Sequence, residues 1–163
     1  IPTSGSAATR SADVCNNGAN EQVINSTEGV LYAEMSALAN DGTARRIAIS
    51  DGANTNRIAI GFTSSNRIQF ITQSNNSIEV NTSLTVSEIT ENTKVAFKYK
   101  ANDCAFWING FELGTDTNAT MPSGLNKLAF DEGNGGSGFY GNTKDVRVYN
   151  TALTDAELQA LTT

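Results

Sequence analysis

Catalysis makes demands on residue types that this chain does not meet. Glycoside hydrolysis needs two carboxylates roughly 5–10 Å apart, one as nucleophile or base and one as acid. On a strand such a pair occupies nearby positions of one face, as in an E-x-D-x-x-E run, and no such run occurs. Glu34 stands alone in its segment, while Asp131 and Glu132 are adjacent and on a strand would face opposite ways. The chain has no His, which removes Ser-His and Cys-His nucleophile pairs and the imidazole base of a polysaccharide lyase. Tyr140 or Tyr149 beside Arg147 is the remaining candidate base, and its plainer reading is aromatic packing next to a strand-face charge. The Gly-rich run at 133–138 lacks the Lys-Ser/Thr that grips a nucleotide. No enzymatic activity is expected.

Binding is better served. Trp107 alternates with Phe106 and Ile108, so if those two face the core, Trp107 faces outward as a stacking platform. The alternative is that it packs under a loop or against a second subunit. In the Gly-rich segment DEGNGGSGFYG (131–141), Asp131, Glu132 and Asn134 offer oxygen atoms and Tyr140 an aromatic face. Its glycines let a ligand approach the backbone, and Asp131 with Glu132 is a candidate Ca²⁺ ligand set. The same loop can equally serve only to connect two strands.

The chain has 163 residues, enough for one domain with a real core. It is 17% charged and 39% apolar, so neither a disordered nor a membrane-inserted chain is expected. A net charge of −6 excludes the generally basic surface that nucleic acid requires. Arg45, Arg46, Arg57 and Arg67 nevertheless cluster in one hairpin-rich region. They are either solvated charges protecting strand edges or a local anion site, for instance for an acidic polysaccharide. Cys15 and Cys104 are the only cysteines and have no metal-site spacing. Cys104 is in phase with Phe106 and Ile108 and should point inward as a small hydrophobe; pairing with Cys15 is left open.

The elements that must position these residues are strands. Residues 1–12 read as a linker and 13–163 as the domain, with a first edge strand over 11–15. In GVLYAEMSAL (29–38), Leu31, Ala33, Met35 and Ala37 form a uniformly apolar face, leaving Val30 and Tyr32 on the other. RRIAIS (45–50), RIAIGF (57–62) and RIQFIT (67–72) form an up-and-down meander joined by DGANTN and TSSN turns. Shorter strands at 77–80 and 83–89 flank a turn at Asn81-Thr82. Val95, Phe97 and Tyr99, then Cys104, Phe106 and Ile108, are the next inward rows, followed by Asn109-Gly110 as a hairpin turn into 111–114. One more strand contains KLAF, and Val146 and Val148 mark the closing one. Thr154 with Glu157 three residues on is a capping box opening a short terminal helix.

KANDCAFWINGFELGTDT followed by RVYNTALTDAELQAL resembles the laminin-G-like, concanavalin A-like family in strand order, turn placement and closing helix. SAATRSADV is similar to the opening of such domains in bacteriophage tail and virion proteins. The resemblance implies an all-β, two-sheet antiparallel jelly-roll sandwich with a short C-terminal helix. It further implies a non-catalytic module binding a glycan or cell-surface polysaccharide, part of a larger extracellular or virion protein. On that reading Trp107, Tyr140, Asp131 and Asn134 carry the ligand. The competing expectation is an assembly domain, a homo-oligomer or virion subunit, with Val30 and Tyr32 in its interface.

Overall fold

The computed structural model describes residues 18–163. The expected linker, the edge strand over 11–15 and Cys15 with its pairing lie outside the described residues. Ten strands are followed by one helix: β1 (Glu28–Ala37), β2 (Arg45–Ser50), β3 (Arg57–Phe62), β4 (Arg67–Ser74), β5 (Ser77–Thr85), β6 (Thr93–Lys100), β7 (Cys104–Ile108), β8 (Phe111–Asp116), β9 (Lys127–Ala129), β10 (Gly141–Tyr149) and α1 (Asp155–Thr162). They form two antiparallel five-stranded sheets, ordered β10-β1-β6-β7-β8 and β5-β4-β3-β2-β9. The expected sandwich of the jelly-roll class, closed by a C-terminal helix, is what forms.

Strand alternation decides which side chains meet between the sheets. Leu31, Ala33, Met35, Phe97, Tyr99, Cys104 and Phe106 of the first sheet pack against Ile47, Ile49, Ile58, Ile60, Phe62 and Phe70 of the second. Cys104 is inside as expected, and burial pushes its thiol up to about 11. The hairpin at Asn109-Gly110 has φ of 48° and 83°, which only Gly and Asn accept readily. The segments expected as two short strands around Asn81-Thr82 are instead one strand. Asn81 and Thr82 pair with Ile71 and Phe70, and the irregularity falls between Thr72 and Gln73, where Val80 and Ile78 are their partners.

The outer face of the first sheet departs from expectation. Val30 and Tyr32 are 0% and 3% exposed and offer no subunit interface. They form a second apolar cluster with Ala96, Ala105, Trp107 and Leu158, packed against Leu153 and Leu161. Trp107 does turn away from the main core, but α1 lies over it and leaves it 6% exposed, so it is no ligand platform. The physical reason lies in α1 itself. Thr154 accepts from Glu157 N while Glu157 Oε2 takes Thr154 N at 2.8 Å, completing the capping box. The capped helix then places Leu158 on the sheet, and Thr162 Oγ1 accepts from Gly110 N at 3.1 Å. Leu158→Ala should cost about 2–4 kcal/mol in urea unfolding and red-shift the emission of Trp107, the only Trp; unchanged emission would mean that α1 is not what buries it.

Candidate functional site

The outer face of the second sheet is polar. On β2, β3 and β4 the residues opposite to the core set are Arg46, Ala48 and Ser50; Arg57, Ala59 and Gly61; and Gln69, Ile71 and Gln73. Register aligns them in rows: Arg46 beside Gly61 and Gln69, Ala48 beside Ala59 and Ile71, and Ser50 beside Arg57 and Gln73. Lys127 of β9 extends the last row next to Ser50.

The Gly-rich segment between β9 and β10 folds against this face. Its base is tied by Phe139 N to Phe130 O at 2.8 Å and by Arg46 N to Ser137 O at 2.9 Å. Phe139 turns inward onto Phe62, with ring centroids 5.9 Å apart, leaving Tyr140 half exposed. Asp131 Oδ1 accepts from Gly133 N at 2.5 Å and Asn134 Oδ1 from Gly136 N at 3.0 Å, so both side chains brace the loop that carries them. Gly133 and Gly135 have φ of 103° and 90°. A Cβ at position 133 would lie 2.5 Å from the Ala53 carbonyl oxygen and 2.9 Å from the Ser50 Cβ. Close approach to β2 therefore requires glycine there.

Between this loop, the β2–β3 turn and β9 opens a cleft of about 330 Å³, lined by Asp131, Gly133, Asn134, Gly135, Ser50, Gly52, Lys127 and Ala129. Two residues expected from sequence, Asp131 and Asn134, meet there. Tyr140 is exposed but does not line the cleft, and Trp107 belongs to the other sheet. Lys127 and Ser50 were not anticipated. They come together only through the pairing of β2 with β9, which joins positions distant in the chain.

Glu132 is committed elsewhere. Its Oε2 lies 3.4 Å from Arg57 Nη1 and 3.8 Å from Arg46 Nε, and it accepts from Ser137 Oγ at 3.1 Å. Its backbone oxygen accepts from Arg57 Nη1 at 3.0 Å. Burial pulls the pKa of both guanidinium groups down, Arg57 adding to the effect at Arg46, while Glu132 opposes it. Asp131 and Glu132, the expected Ca²⁺ pair, thus serve different partners. Among the described residues no group of three or more His, Cys, Asp or Glu side chains could hold a metal ion. The arginines are not the solvated edge charges of the first expectation either. Arg45 and Arg57 are buried, Arg45 is clasped by Asp41 through two bonds of 2.9 Å, and Arg67 Nη2 donates to Ser83 O at 2.6 Å. Gly133→Ala should push the loop off β2 and lower stability by about 1–3 kcal/mol, read as a drop in Tm; an unchanged Tm would show that the loop is not held by that approach.

Residues 20–159 match the family model of the concanavalin A-like lectin/glucanases superfamily. No curated protein sequence matches the chain. Among solved structures, the chain is similar to the CBM40 of the Ruminococcus gnavus IT-sialidase bound to α2,3-sialyllactose, at 17% identity and a TM-score of 0.66, over 85% of this chain and 84% of that one. Domain 4 of AbnA, a GH43 extracellular arabinanase from Geobacillus stearothermophilus in complex with arabinotriose, aligns at 15% identity and a TM-score of 0.66, over 86% and 68%. The heptameric SAP-like pentraxin of Limulus polyphemus follows at 14% identity and a TM-score of 0.61, over 84% and 70%. These likenesses bear on the fold; the family match covers most of the sequence, and the chain belongs to the concanavalin A-like lectin/glucanase superfamily.

Proposed function

We propose that this domain is a non-catalytic glycan-binding module, part of a larger extracellular or virion protein, and that it binds at the loop-covered face of the second sheet. The observation that carries this reading is the cleft beside that face, where a Lys, a Ser, an Asp and an Asn converge with glycine backbone. Sugar hydroxyls need such short donors and acceptors held at fixed positions, with backbone close enough to reach. Support comes from the sialyllactose-bound CBM40 and the arabinotriose-bound arabinanase domain, which share the architecture. Asp131 accepts from the Gly133 amide and Glu132 faces two arginines, a division of roles that favours binding over two-carboxylate hydrolysis. Tyr140, half exposed at the loop's end, is a candidate stacking surface at the rim.

A second reading, assembly with like or unlike subunits, is favoured by one feature. Phe111 and Leu113 on β8, an edge strand, are 69% and 45% exposed. Size-exclusion chromatography with light scattering separates the two, since assembly through β8 requires an oligomer that Phe111→Asp dissociates.

A glycan-array screen tests the principal reading. Asn134→Ala and Lys127→Ala should each weaken a defined hit about tenfold, the scale of one or two lost hydrogen bonds. The hit should survive EDTA, because the Glu132 carboxylate is already neutralised by arginine. Absence of any hit at high protein concentration would overturn the proposal, and loss of the hit in EDTA would restore a Ca²⁺ site at Asp131.

A further inference from the structure

Two arginines and one glutamate on the loop-covered face do not make a settled ion pair. Arg46 and Arg57 bring two positive charges to a single carboxylate, with side chains only 12% and 10% exposed. Their contacts with Glu132 Oε2, at 3.8 and 3.4 Å, are longer than the roughly 2.7–2.9 Å of a well-formed charge-assisted bond. The Nε of each arginine is buried without a hydrogen-bond partner. Arg45 also has an unpaired Nε yet is clasped by Asp41 at 2.9 Å, so it is the long contacts to Glu132 that set Arg46 and Arg57 apart and leave room for a closer anion.

We infer that the Arg46–Arg57 pair is a carboxylate-binding site, held in this structure by the chain's own Glu132, and that the acidic group of a carboxylated glycan takes that place on binding. The inference rests on the glycan-binding reading above and gives it a substrate class, sugars bearing a carboxylate.

Three features favour an incoming anion. The occupant is carried by a loop containing Gly133, Gly135 and Gly136, whose backbone freedom lets Glu132 withdraw without breaking a strand. On β2 and β3 the row between the two arginines is Ala48 and Ala59, with Ile71 of β4 at its end, so no side chain larger than alanine stands directly between them. The same face also carries Arg67 and Lys127, so Arg46, Arg57, Arg67 and Lys127 stand with Glu132 and Asp131 on one side of a protein whose net charge is −6. A basic face on an acidic chain selects by local charge, because the protein's overall field repels anions that lack a specific fit. Beside the arginines, side-chain amides are already aligned: Arg46 Nη1 donates to Gln69 Oε1 at 2.7 Å, and Gln69 Nε2 to Asn81 Oδ1 at 2.6 Å. They offer hydroxyl partners adjacent to the acidic group.

Titration calorimetry on two matched probe pairs tests this: 3′-sialyllactose against lactose, and oligogalacturonate against its carboxyl-reduced form. The acidic member of at least one pair should bind about tenfold tighter than its neutral counterpart. Which pair responds identifies a sialic or a uronic acid as the source of the carboxylate. Glu132→Gln should then raise affinity for the acidic probe several-fold by removing the competing charge, leaving the neutral probe unchanged. Arg46→Gln and Arg57→Gln should abolish the acidic preference, with Tm measured alongside to confirm folding. If the arginine variants do not fold, Glu132→Gln and the probe pairs decide the matter without them. Weakened or unchanged binding by Glu132→Gln overturns the inference, as does equal binding of both members of each pair, which leaves glycan binding itself standing. No binding to any of the four probes or to any other glycan removes both.

Discussion

Phe70 of the second sheet packs on Phe97 and Phe106 of the first, with ring centroids 5.7 and 5.0 Å apart, and these two rings are 5.3 Å from one another. This aromatic triad spans the space between the sheets and joins β4 to the β6–β7 hairpin. Because side chains alternate along a strand, seating these three rings inward also determines which residues of the same strands must point outward. Trp107 is outward because Phe106 is inward, and Gln69 and Ile71 are outward because Phe70 is inward. The character of both outer faces follows from the core.

The two outer faces answer that constraint differently. On the first sheet the outward set is apolar and needs a cover, which α1 provides by placing Leu158 over Val30, Tyr32 and Trp107. On the second sheet the outward set flanks a small apolar row of Ala48, Ala59 and Ile71 with polar side chains, and the cover is a loop held by backbone hydrogen bonds, by Phe139 and by Glu132. The apolar cover stabilises by removing surface from water. The charged cover pairs one carboxylate with two guanidinium groups and leaves a cleft beside it. One face of the sandwich is thereby covered by apolar packing, and the other by a loop with a polar cleft beside it.

Asp131 and Glu132 show why a pair of neighbouring carboxylates is an ambiguous signal. Both residue types suit Ca²⁺, sugar hydroxyls or guanidinium groups, and the choice depends on which cations the fold brings near. Asp131 caps its own loop through the Gly133 amide, whereas Glu132 reaches residues 86 and 75 positions earlier in the chain. Arg46 and Arg57 look alike in sequence, each near the start of an Ile-rich strand. Their shared partner is visible only once the 131–138 loop has been placed across the sheet.

The sequence by itself determined the strand rows, the turns and the capped helix, because each depends on residues within a few positions of one another. The alternation of Leu31, Ala33 and Met35, the Asn109-Gly110 turn and the Thr154–Glu157 capping box are of this kind. A local misreading arose at Asn81-Thr82, where residues suited to a turn continue β5 because β4 already presents a paired edge. Tertiary structure alone decided the fate of Trp107, whose outward direction was legible but whose cover, Leu158, lies 51 positions away. It alone also decided the makeup of the cleft and the link from Glu132 to its two arginines. Alternation tells which way a side chain points, whereas what it meets there is settled by chain crossings and charge encounters that no local pattern encodes.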